Sequence, residues 1–196
     1  MTTKDAIKIS AGILGLALVI GVGIRQGLPQ ATPEINLPPL EWKDFVPQLV
    51  KEGVIDPVKL QRAMALTDNQ KAVLAGSYKG KIEINEENAD FLLNILWPLG
   101  IANKSEVLTK GPMSSYEDRA YLASTGGWTG GKEESGDAYF NRYKLVDLTA
   151  NEEALVTEVA ENTYRPCCDN PTIFPDCNHG AALLGALTLA ASQGYT

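Results

Sequence analysis

Histidine occurs once in this chain of 196 residues, at position 179. Acid–base chemistry that relies on imidazole therefore has a single candidate. Cysteine occurs three times, an odd number that leaves one thiol over in any fully paired disulfide framework. Basic side chains are fewer than acidic ones, 17 against 24, for a formal net charge of -7. There is no basic stripe to neutralise phosphates, which argues against nucleic acid as a partner. The glycine-rich stretch "STGGWTGG" at 124–131 lacks the Gly-Lys-Ser/Thr of a P-loop, and the G-x-G-x-x-G pattern is absent too. No fixed-period repeat suggests a solenoid.

An ordinary globular composition remains, apolar enough to bury a core. Residues 9–24 carry no charge, with Lys4 and Lys8 before them and Arg25 after. This predicts an N-terminal membrane anchor or signal over 1–25. The two leading lysines favour a cytoplasmic N-terminus and place the rest of the chain on the extracytoplasmic side. Four prolines make 26–40 an extended linker. The folded domain is then 41–196.

That domain reads as mainly α: a single compact helical domain with a long Gly/Ser-rich loop. Trp42, Phe45, Val46, Leu49 and Val50 recur at helical spacing, with Gly53 as a stop. Asp56-Pro57 is a cap followed by a first-turn proline. "TDNQ" at 67–70 and "TANE" at 149–152 are capping boxes. "KGKIEIN" is a short strand or connector. Asn85 is expected to cap one helix running through Leu108, interrupted or kinked at Pro98, with Phe91, Leu92, Ile95, Leu96 and Leu99 as its apolar face. Residues 109–141 show no period and are expected to form a functional loop or lid. The last helix is apolar almost all round and too short to span a bilayer, which makes it a buried core helix.

All three cysteines and the histidine fall in "YRPCCDNPTIFPDCNHG", residues 164–180. Cys167, Cys168, Cys177 and His179 are a complete ligand set for four-coordinate zinc. They equally suit an iron–sulfur cluster with one histidine ligand, or copper(I). Adjacent Cys167 and Cys168 point to opposite faces of an extended chain, so only an irregular turn shaped by Pro166 and Asn170-Pro171 converges them. Cys177 and His179, two apart, share a side. The start of the last helix aims the positive end of its dipole at the sulfurs. Arg165 adds positive charge. Asp169 and Asp176 are candidates for hydrogen bonds to His179 or for a further ligand, and Trp128 for a cover over the site. Two other readings stay open. One is a disulfide from Cys177 to Cys167 or Cys168, giving a structural or interaction module without metal. The other is a thiol-dependent enzyme with Cys177 or Cys168 as nucleophile and His179 as base.

"CC" followed by "FPDCNH" resembles the motif of CDGSH-type iron–sulfur domains, which hold a two-iron cluster with three cysteines and one histidine. The resemblance implies a cluster on Cys167, Cys168, Cys177 and His179. The chain departs from that pattern in its adjacent first cysteines, in the shorter step from Cys177 to His179, and in lacking Asp-Gly after the third cysteine. "LLNILWPLGIANKS", "ASTGGW" and "YRPCC…FPDCNHG" together resemble an uncharacterised family of membrane-anchored prokaryotic proteins. That resemblance implies only that the three segments share one domain. The functional expectation is a membrane-anchored, extracytoplasmic metal- or iron–sulfur-binding domain in metal handling, sensing or electron transfer.

Overall fold

The computed structural model describes residues 40–196. The expected anchor over 1–25, and all of the expected linker but residue 40, lie outside the described residues. Among the described residues no helix is long and apolar enough to cross a membrane.

A minimal ribbon opens the structure. Strand β1 (Leu40–Glu41) pairs antiparallel with β2 (Lys81–Ile82), Leu40 opposite Ile82 and Glu41 opposite Lys81. Among the described residues seven α-helices carry most of the remaining regular structure: α1 (Phe45–Lys51), α2 (Pro57–Ala63), α3 (Asp68–Leu74), α4 (Ala89–Ala102), α5 (Glu106–Lys110), α6 (Ala150–Asn162) and α7 (Asn178–Ala191). The chain is mainly α.

Short polar signals fix the helix ends. The Asp56 carboxylate accepts from the amides of Val58 and Lys59, with Pro57 at the first helical position. Both capping boxes form, Thr67 with Gln70 and Thr149 with Glu152. Gly53 and Gly76 follow α1 and α3 at φ of 75° and 72°, where a side chain would be strained.

The expected single helix through Leu108 is instead two. Asn85 does not cap α4; its side-chain Oδ1 accepts from the amides of Glu87 and Asn88 in the turn before it. The helix then runs through Pro98 without interruption. It stops at Asn103, whose side-chain oxygen accepts from the amides of Leu145 and Val146. Ser105 restarts the chain as α5 by accepting from Leu108. A tertiary contact made 42 residues downstream thus ends a helix that local propensity would continue.

Residues 109–141 are structured rather than a loose lid. Three 3₁₀ turns punctuate them, at Pro112–Ser115, Arg119–Tyr121 and Gly136–Tyr139. Met113, Ser124, Thr125, Trp128 and Tyr139 are buried. The Trp97 indole donates to Ser124 O at 2.6 Å, and the Tyr139 hydroxyl donates to Gly53 O at 2.9 Å.

Helix α7 explains why its sequence is apolar on every side. Ala181, Ala182, Ala186 and Leu189 join the main core with Phe45, Leu49, Ile95 and Leu99. Leu184, Leu187 and Ala191 face a second cluster with Val107, Leu108, Val156 and Ala160. The helix is a shared wall, and each leucine buried there contributes about 2 kcal/mol. It crosses α4 closely: a Cβ added at Gly100 would overlap Ala181 O, and one at Gly185 would overlap Leu96 O. At its far end Gln193 clamps the backbone of Glu41, accepting from its amide at 2.8 Å and donating to its carbonyl at 2.9 Å. The chain therefore enters the described region beside the C-terminal end of α7.

Candidate metal centre

The turn before α7 is built around a buried arginine. Residues after α6 fold back on themselves. Tyr164 bridges antiparallel to Pro171, the Thr172 amide donates to Thr163 O, and the Ile173 amide donates to Ala160 O. Between these anchors the chain turns tightly. The amides of Cys168 and Asp169 both donate to Arg165 O, and Asp169 takes a left-handed φ of 55°. The Arg165 side chain points into the turn and is 2% exposed.

A buried guanidinium is costly unless its donors are satisfied. Here they are. Nε donates to Asn170 O at 3.2 Å. Nη2 donates to Phe174 O at 2.8 Å, to Asp176 Oδ1 at 2.7 Å and, at 3.4 Å, to Pro171 O. Nη1 donates to Cys177 Sγ at 2.8 Å. Asp176 is completed by Asn170, whose Nδ2 donates to its Oδ2 at 2.9 Å. The Ser124 amide donates to Asp176 O at 3.0 Å and ties the 109–141 segment to the turn.

Cys177 is the N-cap of α7. Its Sγ accepts from the Gly180 amide at 3.4 Å, so His179 and Gly180 lie inside the first turn rather than before it. Gly180 has a steric reason to be glycine. A Cβ there would stand 2.5 Å from Arg165 Nη1 and 2.9 Å from its Cζ.

The sulfurs converge. Cys167 Sγ and Cys168 Sγ are 3.7 Å apart. The ligand atoms of Cys167, Cys177 and His179 all lie within 4.8 Å of one another, and so do those of Cys168, Asp176 and Cys177. Each pair among the three sulfurs is therefore within 4.8 Å. A tetrahedral ion bound about 2.3 Å from each sulfur holds its sulfurs about 3.8 Å apart. The adjacent cysteines, divergent on an extended strand, already have that spacing. The left-handed Asp169 and the paired amides on Arg165 O bend the chain enough to bring them together.

The thiols differ in character. Burial of Cys177 opposes its thiolate. A hydrogen bond from His179, the Gly180 amide and the Arg165 charge outweigh that burial and draw the thiol down to about 6. Partial burial of its sulfur, in a residue otherwise exposed, pushes the Cys167 thiol up to about 11, helped by its hydrogen bond to Cys168 and the negative charge of Cys177. All three cysteines are free thiols, with Cys167 and Cys168 exposed and Cys177 half-buried.

The remaining expected residues divide. Arg165 and Asp176 stand beside the sulfurs, but both Asp176 oxygens are already engaged by Arg165 and Asn170. Asp169 is exposed and serves the turn through its backbone. Trp128 is buried elsewhere: its indole donates to Val54 O at 2.8 Å and its ring meets Trp97 edge-on at 5.0 Å. Sequence reading missed Asn170 as the residue that fixes Asp176. It also missed Gly180 as the space for the guanidinium. Neither leaves a signal, since asparagine before proline reads as a turn former and glycine at a helix start is common.

Against family models, curated proteins and solved structures alike, the chain matches nothing.

Proposed function

We propose that this chain is a membrane-tethered, extracytoplasmic domain that binds one soft metal ion, of the zinc or copper(I) class, as exchangeable cargo. The ligands are Cys167, Cys168, Cys177 and His179. The observation that carries the reading is that Cys177, at the N-terminus of α7, has the ligand atoms of Cys167 and His179 within 4.8 Å in one group and those of Cys168 and Asp176 in another, with the two turn sulfurs 3.7 Å apart.

The donor set supports a soft ion. Hard cations want oxygen, and the nearest carboxylate is already engaged by Arg165 and Asn170. The crowding supports one ion over a cluster, because a two-iron cluster spreads its four ligands across two metals. Exposure supports exchange. Cys167 and Cys168 face solvent, and neither apolar cluster includes a ligand, so the core packs without the site. Structural zinc sites are closed and carry folding energy, unlike this one. Position supports presentation away from a tether. The described chain begins with Glu41 held at Gln193, past the C-terminal end of α7, and the ligands sit at the other end of this 14-residue helix, about 20 Å away.

Within the site Arg165 and the helix N-terminus hold Cys177 as a thiolate ready to bind. Asp176 and Asn170 hold Arg165. Cobalt(II), used as a spectroscopic stand-in for zinc, tests this. A reduced chain should show thiolate-to-metal absorption at one ion per chain. Asp176→Asn should weaken binding by about tenfold through the loosened arginine. Absence of any thiolate absorption at saturating cobalt would defeat the reading.

A further inference from the structure

The sulfurs number one more than a two-electron thiol reaction needs, and they differ in what surrounds them. Cys177 Sγ receives two N–H donors, Arg165 Nη1 at 2.8 Å and the Gly180 amide at 3.4 Å, at the N-terminus of a 14-residue helix. Donors so aimed stabilise negative charge on sulfur and on an oxygen leaving from it. Cys167 Sγ lies within 4.8 Å of Cys177 Sγ. Cys167 is exposed to solvent. Two prolines, Pro171 and Pro175, already restrict the segment that a Cys167–Cys177 bond would close.

We infer that the site also reduces hydroperoxides, with Cys177 as the attacking sulfur and Cys167 as the resolving one, and that the disulfide so formed releases the ion. The oxidant is hydrogen peroxide or an organic hydroperoxide. The Cys177 thiolate attacks the terminal oxygen; an S–O bond forms and the O–O bond breaks. The departing alkoxide or hydroxide takes a proton from solvent and leaves as alcohol or water. The Cys167 sulfur then attacks Cys177, forming S–S and breaking S–O, and the displaced hydroxide leaves as water with the Cys167 proton. Two thiols lose two electrons and the peroxide gains them. The release step rests on the metal reading above, since the disulfide removes two of the four ligands. The chemistry at sulfur does not rest on it.

The experiment uses the full chain, reduced and metal-free, treated with hydrogen peroxide. Expected results are a mass lower by two hydrogens and a peptide map that places the bond at Cys167–Cys177. Cys167→Ser should leave a sulfenic acid on Cys177 that dimedone traps, and Cys177→Ser should form no bond to Cys167. A bond at Cys167–Cys168, oxidation that spares Cys177, or three inert thiols would each overturn the inference. The same treatment of zinc-loaded chain should free one zinc per disulfide, read with a chromophoric chelator. Zinc retained by the disulfide form would overturn the release step. Failure of the reduced chain to take up zinc would defeat the metal reading alone, and the position of the bond would still decide this one.

Discussion

Replacing Gly180 with alanine sets two physical effects against each other. Gly180 lies in the first turn of α7, where glycine is the poorer helix former, so alanine should gain up to about 1 kcal/mol from propensity. The structure says the opposite will happen. The new Cβ would stand 2.5 Å from Arg165 Nη1, 2.9 Å from Cζ and 3.1 Å from Nε. Relief needs a shift of about 1 Å by the guanidinium or by the helix start. The guanidinium is held on its other side by Asn170, Phe174 and Asp176, so the bond most exposed to the strain is the 2.8 Å contact to Cys177 Sγ. A charge-assisted hydrogen bond of that kind contributes about 2 kcal/mol. Adding the cost of displacing well-packed atoms, the net effect of Gly180→Ala is a loss of about 2 kcal/mol and a melting temperature lower by about 4–8 °C. The Cys177 thiol should move up from about 6 toward its ordinary 9.0. Thermal denaturation reads the first effect. The pH dependence of iodoacetamide alkylation, followed by mass spectrometry at Cys177, reads the second. A variant that melts higher than the parent, with the alkylation inflection still near 6, would refute the claim that Arg165 is wedged between the turn and α7.

Other perturbations follow from the same geometry. The Cys177 thiol, held below its ordinary range, contributes stability that is present above about pH 9 and lost as pH falls through about 6. The Cys167 thiol, pushed up to about 11, contributes stability that is present below about pH 9 and lost as pH rises through about 11. Urea denaturation of the reduced chain should therefore show stability rising from pH 6 to 9 and falling from 9 to 11, a profile that Cys177→Ser flattens on its lower side. Gly185→Ala should destabilise by about 3 kcal/mol, measured by denaturant midpoint, because its Cβ overlaps Leu96 O at the α4–α7 crossing. Thr149→Ala breaks the α6 capping box and should cost about 1 kcal/mol by the same measurement, with the alkylation inflection of Cys177 unmoved.

Helix ends were the most legible part of the fold, because caps act within four residues. Asp56-Pro57, Thr67 to Gln70 and Thr149 to Glu152 all behave as their local chemistry requires. What was not legible depends on partners far away in sequence. Asn103 ends α4 because Leu145 and Val146 offer it amides, and nothing near Asn103 announces that. Ser105 caps α5 from within the polar stretch Asn103–Glu106, and apolar residues on both sides of that stretch read as one face. Residues 109–141 lack a period because they are held by single long-range bonds such as Trp97 to Ser124, not by a repeating face.

At the site the residue types were legible and the geometry was not. The adjacency of Cys167 and Cys168 was the weakest point of a metal reading, since neighbours on a strand diverge. The turn that rescues it depends on a left-handed Asp169 and on an arginine carbonyl that collects two amides. Arg165 itself reads in sequence as a nearby charge. Only its burial, with five acceptors around one guanidinium, makes it the centre on which the turn is built. The dipole of α7 was expected to face the sulfurs, and the cap at Cys177 is where it does so.

The most direct test of the account is metal analysis of the full chain purified without oxygen and without chelator. The account predicts one zinc or copper ion per chain, with the thiols of Cys167, Cys168 and Cys177 slow to alkylate until a chelator removes it. A chain with no stoichiometric metal, that takes none up when zinc or copper(I) is supplied to its reduced thiols, would contradict it.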